Sequence, residues 1–132
     1  MEKEVDVAGI KIGRRPFVFI GGPCVIESED ITMKIAEMLV KTTEDLNIPF
    51  IFKSSYDKAN RTSISSYRGP GITEGLKILK KIRKTFNCPI LTDVHSKEEA
   101  AIAAEIVDVL QVPALLSRQT DLLVACGATG RP

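Results

Sequence analysis

The sequence has no tryptophan, a single histidine (His95) and three cysteines, Cys24, Cys88 and Cys126, with no C-x-x-C pair among them. An odd, unpaired set of thiols does not build a disulfide framework, and so few Cys and His residues do not make a closed four-ligand zinc core. One open metal site using Cys24 or His95 stays available. Charge of one sign is also lacking. Eighteen Lys and Arg stand against 17 Asp and Glu, leaving +1 at neutral pH, so no global field points to nucleic acid or an anionic membrane. No apolar run approaches the roughly 18 residues of a transmembrane helix. The charged start, Met1, Glu2, Lys3 and Glu4, lacks the apolar stretch of a secretory signal. The expectation is a reduced, cytoplasmic chain with no nucleic-acid or membrane partner.

What is present is core-forming sequence. Hydrophobic residues make up 44% of the 132 and charged residues 27%, which suits one globular domain. Residues 5–12 (VDVAGIKI) alternate on both sides of Gly9 and read as a small hairpin. The apolar run 16–20 (PFVFI), closed by Gly21, Gly22 and Pro23, suits a buried parallel strand. Ser28 is a good N-cap, and Ile31, Ile35, Met38, Leu39 and Leu46 follow at helical spacing. This strand-loop-helix pattern then repeats. Strand 49–52 leads through a polar loop, 53–71, to a helix at 72–86 with Leu76, Leu79 and Phe86 on its apolar face. Strand 89–91 precedes a capping box, Ser96 to Glu99, and an alanine-rich helix to about Ile106. Strand 107–110 precedes a last helix from Gln119 to Cys126.

Four alternations argue for an α/β fold with a parallel sheet, either a small open sheet or part of a barrel. Parallel order puts all the strand-to-helix loops on one edge. The unusual polar residues gather there: Cys24, Lys53 to Arg68, Asp93, His95, Gln111 and Arg118. Cations beside hydroxyl and amide donors, as in Lys53, Lys58 and Arg61 with Ser55, Asn60 and Thr62, suit a phosphorylated, hydroxylated small molecule. A solvated turn loop is the competing reading. P-loop spacing is absent. Asp93 could accept bonds from sugar hydroxyls, while His95 could bind a ligand or a metal. Cys24 is either a buried structural thiol or a ligand, and Cys88, on the opposite edge, is structural. Arg118 either makes a surface ion pair or reaches a phosphate.

Five strings narrow this further: FKSSYDKANRTS at 52–63, SYRGPG at 66–71, GPCVIES at 22–28, LTDVH at 91–95 and QVPALLSRQTDL at 111–122. Their sequence and order resemble the 3-deoxy-D-manno-octulosonate 8-phosphate synthase family over nearly all of residues 5–130. The resemblance implies that residues 1–132 are the first four strand-helix units of a (β/α)8 TIM barrel, preceded by a short hairpin. It implies an enzyme, a transferase of lipopolysaccharide precursor synthesis. The reaction condenses phosphoenolpyruvate with arabinose 5-phosphate and releases phosphate. By motif match, Lys53, Ser55, Lys58 and Gln111 would hold phosphoenolpyruvate, and Asn60, Arg61 and Thr62 would hold arabinose 5-phosphate. Asp93 would take its hydroxyls with His95 nearby, and Arg118 would serve a phosphate, here or across a subunit boundary in a homo-oligomer (a tetramer in the family).

Family members with Cys at position 24 use a divalent metal, whereas those with Asn do not. A thiolate favours zinc or iron over magnesium by softness, and the resemblance makes the metal zinc, iron or manganese. The chain departs from the family in having Ser96 where Glu usually follows His95. It also stops at Gly130, Arg131 and Pro132, before the family's second half and its remaining metal ligands. Two alternatives accompany this reading. One is an inactive half barrel that binds phosphorylated ligands or pairs with another chain through its exposed sheet edges. The other is a 3-deoxy-D-arabino-heptulosonate 7-phosphate synthase, although the KANR[ST]S string sets this sequence apart from that relative.

Overall fold

The computed structural model describes residues 3–132; the charged start at Met1 and Glu2 lies outside the described residues. Strands β1 (Val5–Val7) and β2 (Ile10–Ile12) form the expected hairpin, paired Val5 to Ile12 and Val7 to Ile10. Gly9 takes the left-handed conformation of the turn at φ 89°, and the Asp6 carboxylate accepts its N–H at 3.0 Å. Four parallel strands follow: β3 (Phe19–Gly21), β4 (Phe50–Lys53), β5 (Ile90–Asp93) and β6 (Val109–Gln111). Helices α1 (Glu29–Asp45), α2 (Ile72–Phe86), α3 (Lys97–Ala104) and α4 (Thr120–Ala128) alternate with them.

The spatial order β3-β4-β5-β6 follows the chain order without reversal. A doubly wound sheet reverses at a switch point, whereas a barrel adds each strand on the same side. The arrangement is that of the first units of a TIM barrel. Register fixes the edge: Asp93 pairs with Gln111, Phe52 with Ile90 and Gly21 with Phe52.

Two apolar clusters hold the sheet. The larger lies between sheet and helices, built on Phe50, Phe52, Leu79, Ile82, Ile90 and Val107. The smaller lies on the other face, where the hairpin sets Val7 against Ile51 and Leu91. Full burial of each such side chain stabilises by about 1.5–3 kcal/mol.

Several expectations need correction. The 16–20 run is not a buried strand: β3 begins at Phe19, and Phe17 is 67% and Ile20 45% exposed. The cause is position, since β3 pairs only with β4 and leaves its other edge without a strand among the described residues. On α1 Ile31 and Met38 are exposed, as is Leu46 just past its end, while Thr32, Ala36, Val40 and Thr43 are buried. The face turned to α2 and the sheet is small and partly polar. Thr43 can be buried there because its hydroxyl donates to Leu39 O at 2.8 Å. The fourth strand begins at Val109 rather than Val107, and α3 ends at Ala104. Helix α2 spans the expected 72–86, with Leu76 and Leu79 buried.

Candidate active site

The strand ends place the expected polar residues on one edge, and a dense set of backbone contacts fixes them. Ser54 N–H donates to Leu91 O at 3.3 Å, and Thr92 Oγ1 donates back to Ser54 O at 2.8 Å. Ser54 Oγ donates to Pro23 O at 2.9 Å, and Ile26 N–H to Ser55 O at 3.0 Å. These bonds tie the Cys24 loop to the end of β4. The approach is close enough to require glycine, because a Cβ on Gly22 would lie 1.9 Å from Lys53 O. Cys24, carried by that loop, is exposed, which removes the buried structural reading. Cys88 is buried before β5, and burial pushes its thiol up to about 11, as befits an inert core cysteine.

At the ends of β4 and β5 lies a buried polar network. Ser55, fully buried, donates its hydroxyl to Asp93 Oδ1. The other carboxylate oxygen of Asp93 faces His95 Nε2 at 3.2 Å. On the far side of the ring, Nδ1 lies 3.4 Å from Glu99 Oε2, without the alignment of a hydrogen bond. That same Oε2 accepts the Tyr56 hydroxyl at 3.0 Å and the His95 backbone N–H at 2.9 Å. Tyr56 is fully buried and meets the imidazole edge-on, with ring centroids 5.7 Å apart. Two glycines make room for it, since a Cβ on Gly69 would lie 2.2 Å from Tyr56 O and one on Gly75 would lie 2.3 Å from Tyr56 Cβ.

Burial pushes the Asp93 carboxyl up. The hydrogen bonds from His95 and Ser55, helped by Lys53 and Lys58, outweigh it and hold Asp93 below the usual carboxylate range. The bond to Asp93 raises the His95 imidazole against the opposing effect of burial, and Glu99 and Asp57 add to the rise. Burial, with Glu99 beside it, raises the Tyr56 phenol far out of reach of proton exchange near neutrality.

A cavity of about 340 Å³ opens beside this network, lined by Lys58, Asn60, Asp93, His95 and Gln111 with the Pro113 turn. Five of the expected site residues therefore share one space, although they come from three strand-end loops. Arg61 and Thr62 instead line a wider cleft of about 720 Å³ with Val25, Glu27, Ser66 and Tyr67. The guanidinium of Arg61 donates through Nε to Tyr67 O at 3.2 Å. The loop is folded back by Arg68, which grips Asp57 with two parallel bonds of 2.9 and 2.7 Å. Arg118 is exposed, makes no ion pair among the described residues and lines neither space.

Tyr56 and Glu99 are the site residues that sequence reading missed. Glu99 had a signal of another kind, the capping box. Half of the box forms, with Ser96 Oγ accepting the Glu99 N–H at 3.2 Å, but the carboxylate turns to His95 N–H rather than to Ser96. Among the described residues no three His, Cys, Asp or Glu side chains converge on a metal position. Cys24 belongs to no such group among the described residues. No helix among the described residues is long and apolar enough to cross a membrane.

Comparison with known proteins bears on this geometry. The family model described as the DAHP synthetase I family matches residues 2–132. A protein of Pelobacter propionicus named 2-dehydro-3-deoxyphosphooctonate aldolase is 57% identical over 132 residues, 99% of this chain and 48% of its own length. One of the same name from Syntrophobacter fumaroxidans is 59% identical over 129 residues, 98% of this chain and 45% of its own. A third, from Pseudoalteromonas translucida, is 60% identical over 116 residues, 88% and 41%. The chain spans about half the length of the curated relatives it matches.

Proposed function

The chain belongs to the DAHP synthetase I family, and from that premise we propose that it carries the substrate-binding strand ends of an octulosonate-phosphate synthase. The reaction joins phosphoenolpyruvate to arabinose 5-phosphate. Carbon 3 of the enol phosphate attacks the sugar aldehyde, whose oxygen takes a proton. Water adds at carbon 2 and inorganic phosphate leaves. The observation that carries this reading is the 340 Å³ cavity, where a lysine, two amides and an ionised carboxylate meet. Phosphoenolpyruvate brings a phosphate and a carboxylate, and Lys58 with Gln111, backed by Lys53 at the end of β4, offsets that charge. Asn60 and the Asp93 carboxylate suit the hydroxyls of a sugar. The cleft that holds Arg61 and Thr62 suits its phosphate.

Ser55 enters this reading through Asp93, whose Oδ1 it holds. Cys24, exposed at the strand-end edge, is proposed as one ligand of a divalent zinc, iron or manganese ion. Such an ion would supply Lewis-acid charge stabilisation when bound. Arg118, exposed between β6 and α4, is proposed to reach a phosphate in a neighbouring copy of a homo-oligomer. The relatives' shared name supports arabinose 5-phosphate over the four-carbon sugar phosphate of the heptulosonate enzymes.

The test uses the protein that carries this chain, given phosphoenolpyruvate with either arabinose 5-phosphate or erythrose 4-phosphate. Phosphate release that requires arabinose 5-phosphate is the expected result. Release with erythrose 4-phosphate alone would assign the heptulosonate reaction instead.

A further inference from the structure

We infer that Glu99 is a positioning residue: its single oxygen Oε2, by holding the Tyr56 hydroxyl and the His95 backbone, fixes His95 as a cation between two carboxylates and thereby orients Asp93 toward the cavity. The argument is one of donors and acceptors. Asp93 Oδ2 and Glu99 Oε2 stand on opposite sides of the imidazole, 3.2 Å from Nε2 and 3.4 Å from Nδ1. Ionised carboxylates only accept hydrogen bonds. A neutral ring that donates to Asp93 turns the lone pair of its other nitrogen toward the Glu99 charge, whereas an imidazolium donates to Asp93 and is attracted to Glu99 through Nδ1–H without an aligned bond. The ring cannot rotate away, because Tyr56 packs edge-on against it and is itself tied to Glu99.

The groups that face His95 come from every element around it. Asp93 is on β5 and Glu99 on α3. Tyr56 and Asp57 lie in the loop after β4. Lys53 and Lys58 act on the same Asp93. Three acids, Asp93, Glu99 and Asp57, favour the cationic ring. Asp93 then has one oxygen committed to Ser55 and the other to His95. Each oxygen keeps one lone pair, and that fixed pair of directions is what a sugar hydroxyl would meet. The inference rests on the proposed sugar site only for that last consequence.

The chain has one histidine, so its ring can be read without assignment by nitrogen-15 spectroscopy of the imidazole, with no ligand present. The parent chain is expected to show both ring nitrogens protonated at pH values above the ordinary histidine midpoint of about 6.5. A neutral ring there would overturn the inference without any variant. Glu99→Gln keeps an oxygen for Tyr56 and for the backbone N–H but removes the charge. The His95 midpoint should fall by about one pH unit or more, as loss of an opposite charge within about 4–6 Å implies. An unchanged midpoint in a folded Glu99→Gln chain would equally overturn it. Failure of the arabinose 5-phosphate assay would leave this titration untouched, so the two readings fail separately.

Discussion

Two groups of residues share the strand-end edge and are built in opposite ways. The inner group, Ser55, Tyr56, Asp93, His95 and Glu99, is buried or partly buried and joined in one hydrogen-bonded and ionic chain. The outer group, Asn60, Arg61 and Thr62, is exposed, and the backbone amides of these three residues have no partner among the described residues. The fold itself supplies the hydrogen-bond partners of the inner group, except at His95 Nδ1, which faces Glu99 without an aligned bond. For the outer group it supplies one direct contact, Arg61 Nε to Tyr67 O, and a scaffold of the Arg68–Asp57 grip and the Lys58 N–H to Arg68 O bond of 2.7 Å. The difference separates residues set in place by folding from residues left for a ligand to order.

Substitutions can break that contrast, and the inner group should give the largest effects. Tyr56→Ala empties the space between Gly69, Gly75 and His95, and should cost about 3–5 kcal/mol, in the range of large aromatic truncations. Urea denaturation measures it, and a loss below about 1 kcal/mol would mean that the network does not hold this edge. Asp93→Ala leaves a buried hydroxyl and a charged imidazole without their acceptor. It should cost about 3 kcal/mol, read from the same denaturation curve.

A smaller effect follows from pH. The folded His95 midpoint lies above its unfolded value, so the stabilisation it contributes is fully present below about pH 6.5 and is lost as pH rises through the folded midpoint. The urea midpoint of the parent minus that of His95→Gln should therefore shrink between about pH 6 and 9. The smallest effect on stability belongs to the outer group. Arg61→Ala should leave the urea midpoint unchanged while weakening retention of arabinose 5-phosphate at least tenfold, by titration calorimetry. A charge-assisted phosphate contact is worth about 1.5–3 kcal/mol.

The two groups were also unequally legible in the sequence. The outer one is local: Asn60, Arg61 and Thr62 are consecutive and follow Lys58 closely, and their chemistry shows in their order. Gln111 and Asp93 could be placed at the same edge because parallel strands end together. The inner network joins Tyr56 to Glu99 across 43 positions and Ser55 to Asp93 across 38. No periodicity relates such pairs, and the capping-box pattern pointed Glu99 at Ser96 rather than His95. Helix α2 keeps its expected bounds with Leu76 and Leu79 buried. On α1 the Ser28 cap forms as expected, but Ile31 and Met38 face outward, since spacing tells which residues share a face but not what covers it.

Amide hydrogen exchange with and without phosphoenolpyruvate and arabinose 5-phosphate tests the contrast most directly. The amides of Ile26, Val94 and His95 should exchange slowly in both conditions. Those of Asn60, Arg61 and Thr62 should be fast alone and slow with ligand. Rapid exchange at His95 without ligand, or an outer loop indifferent to both substrates, would contradict the account.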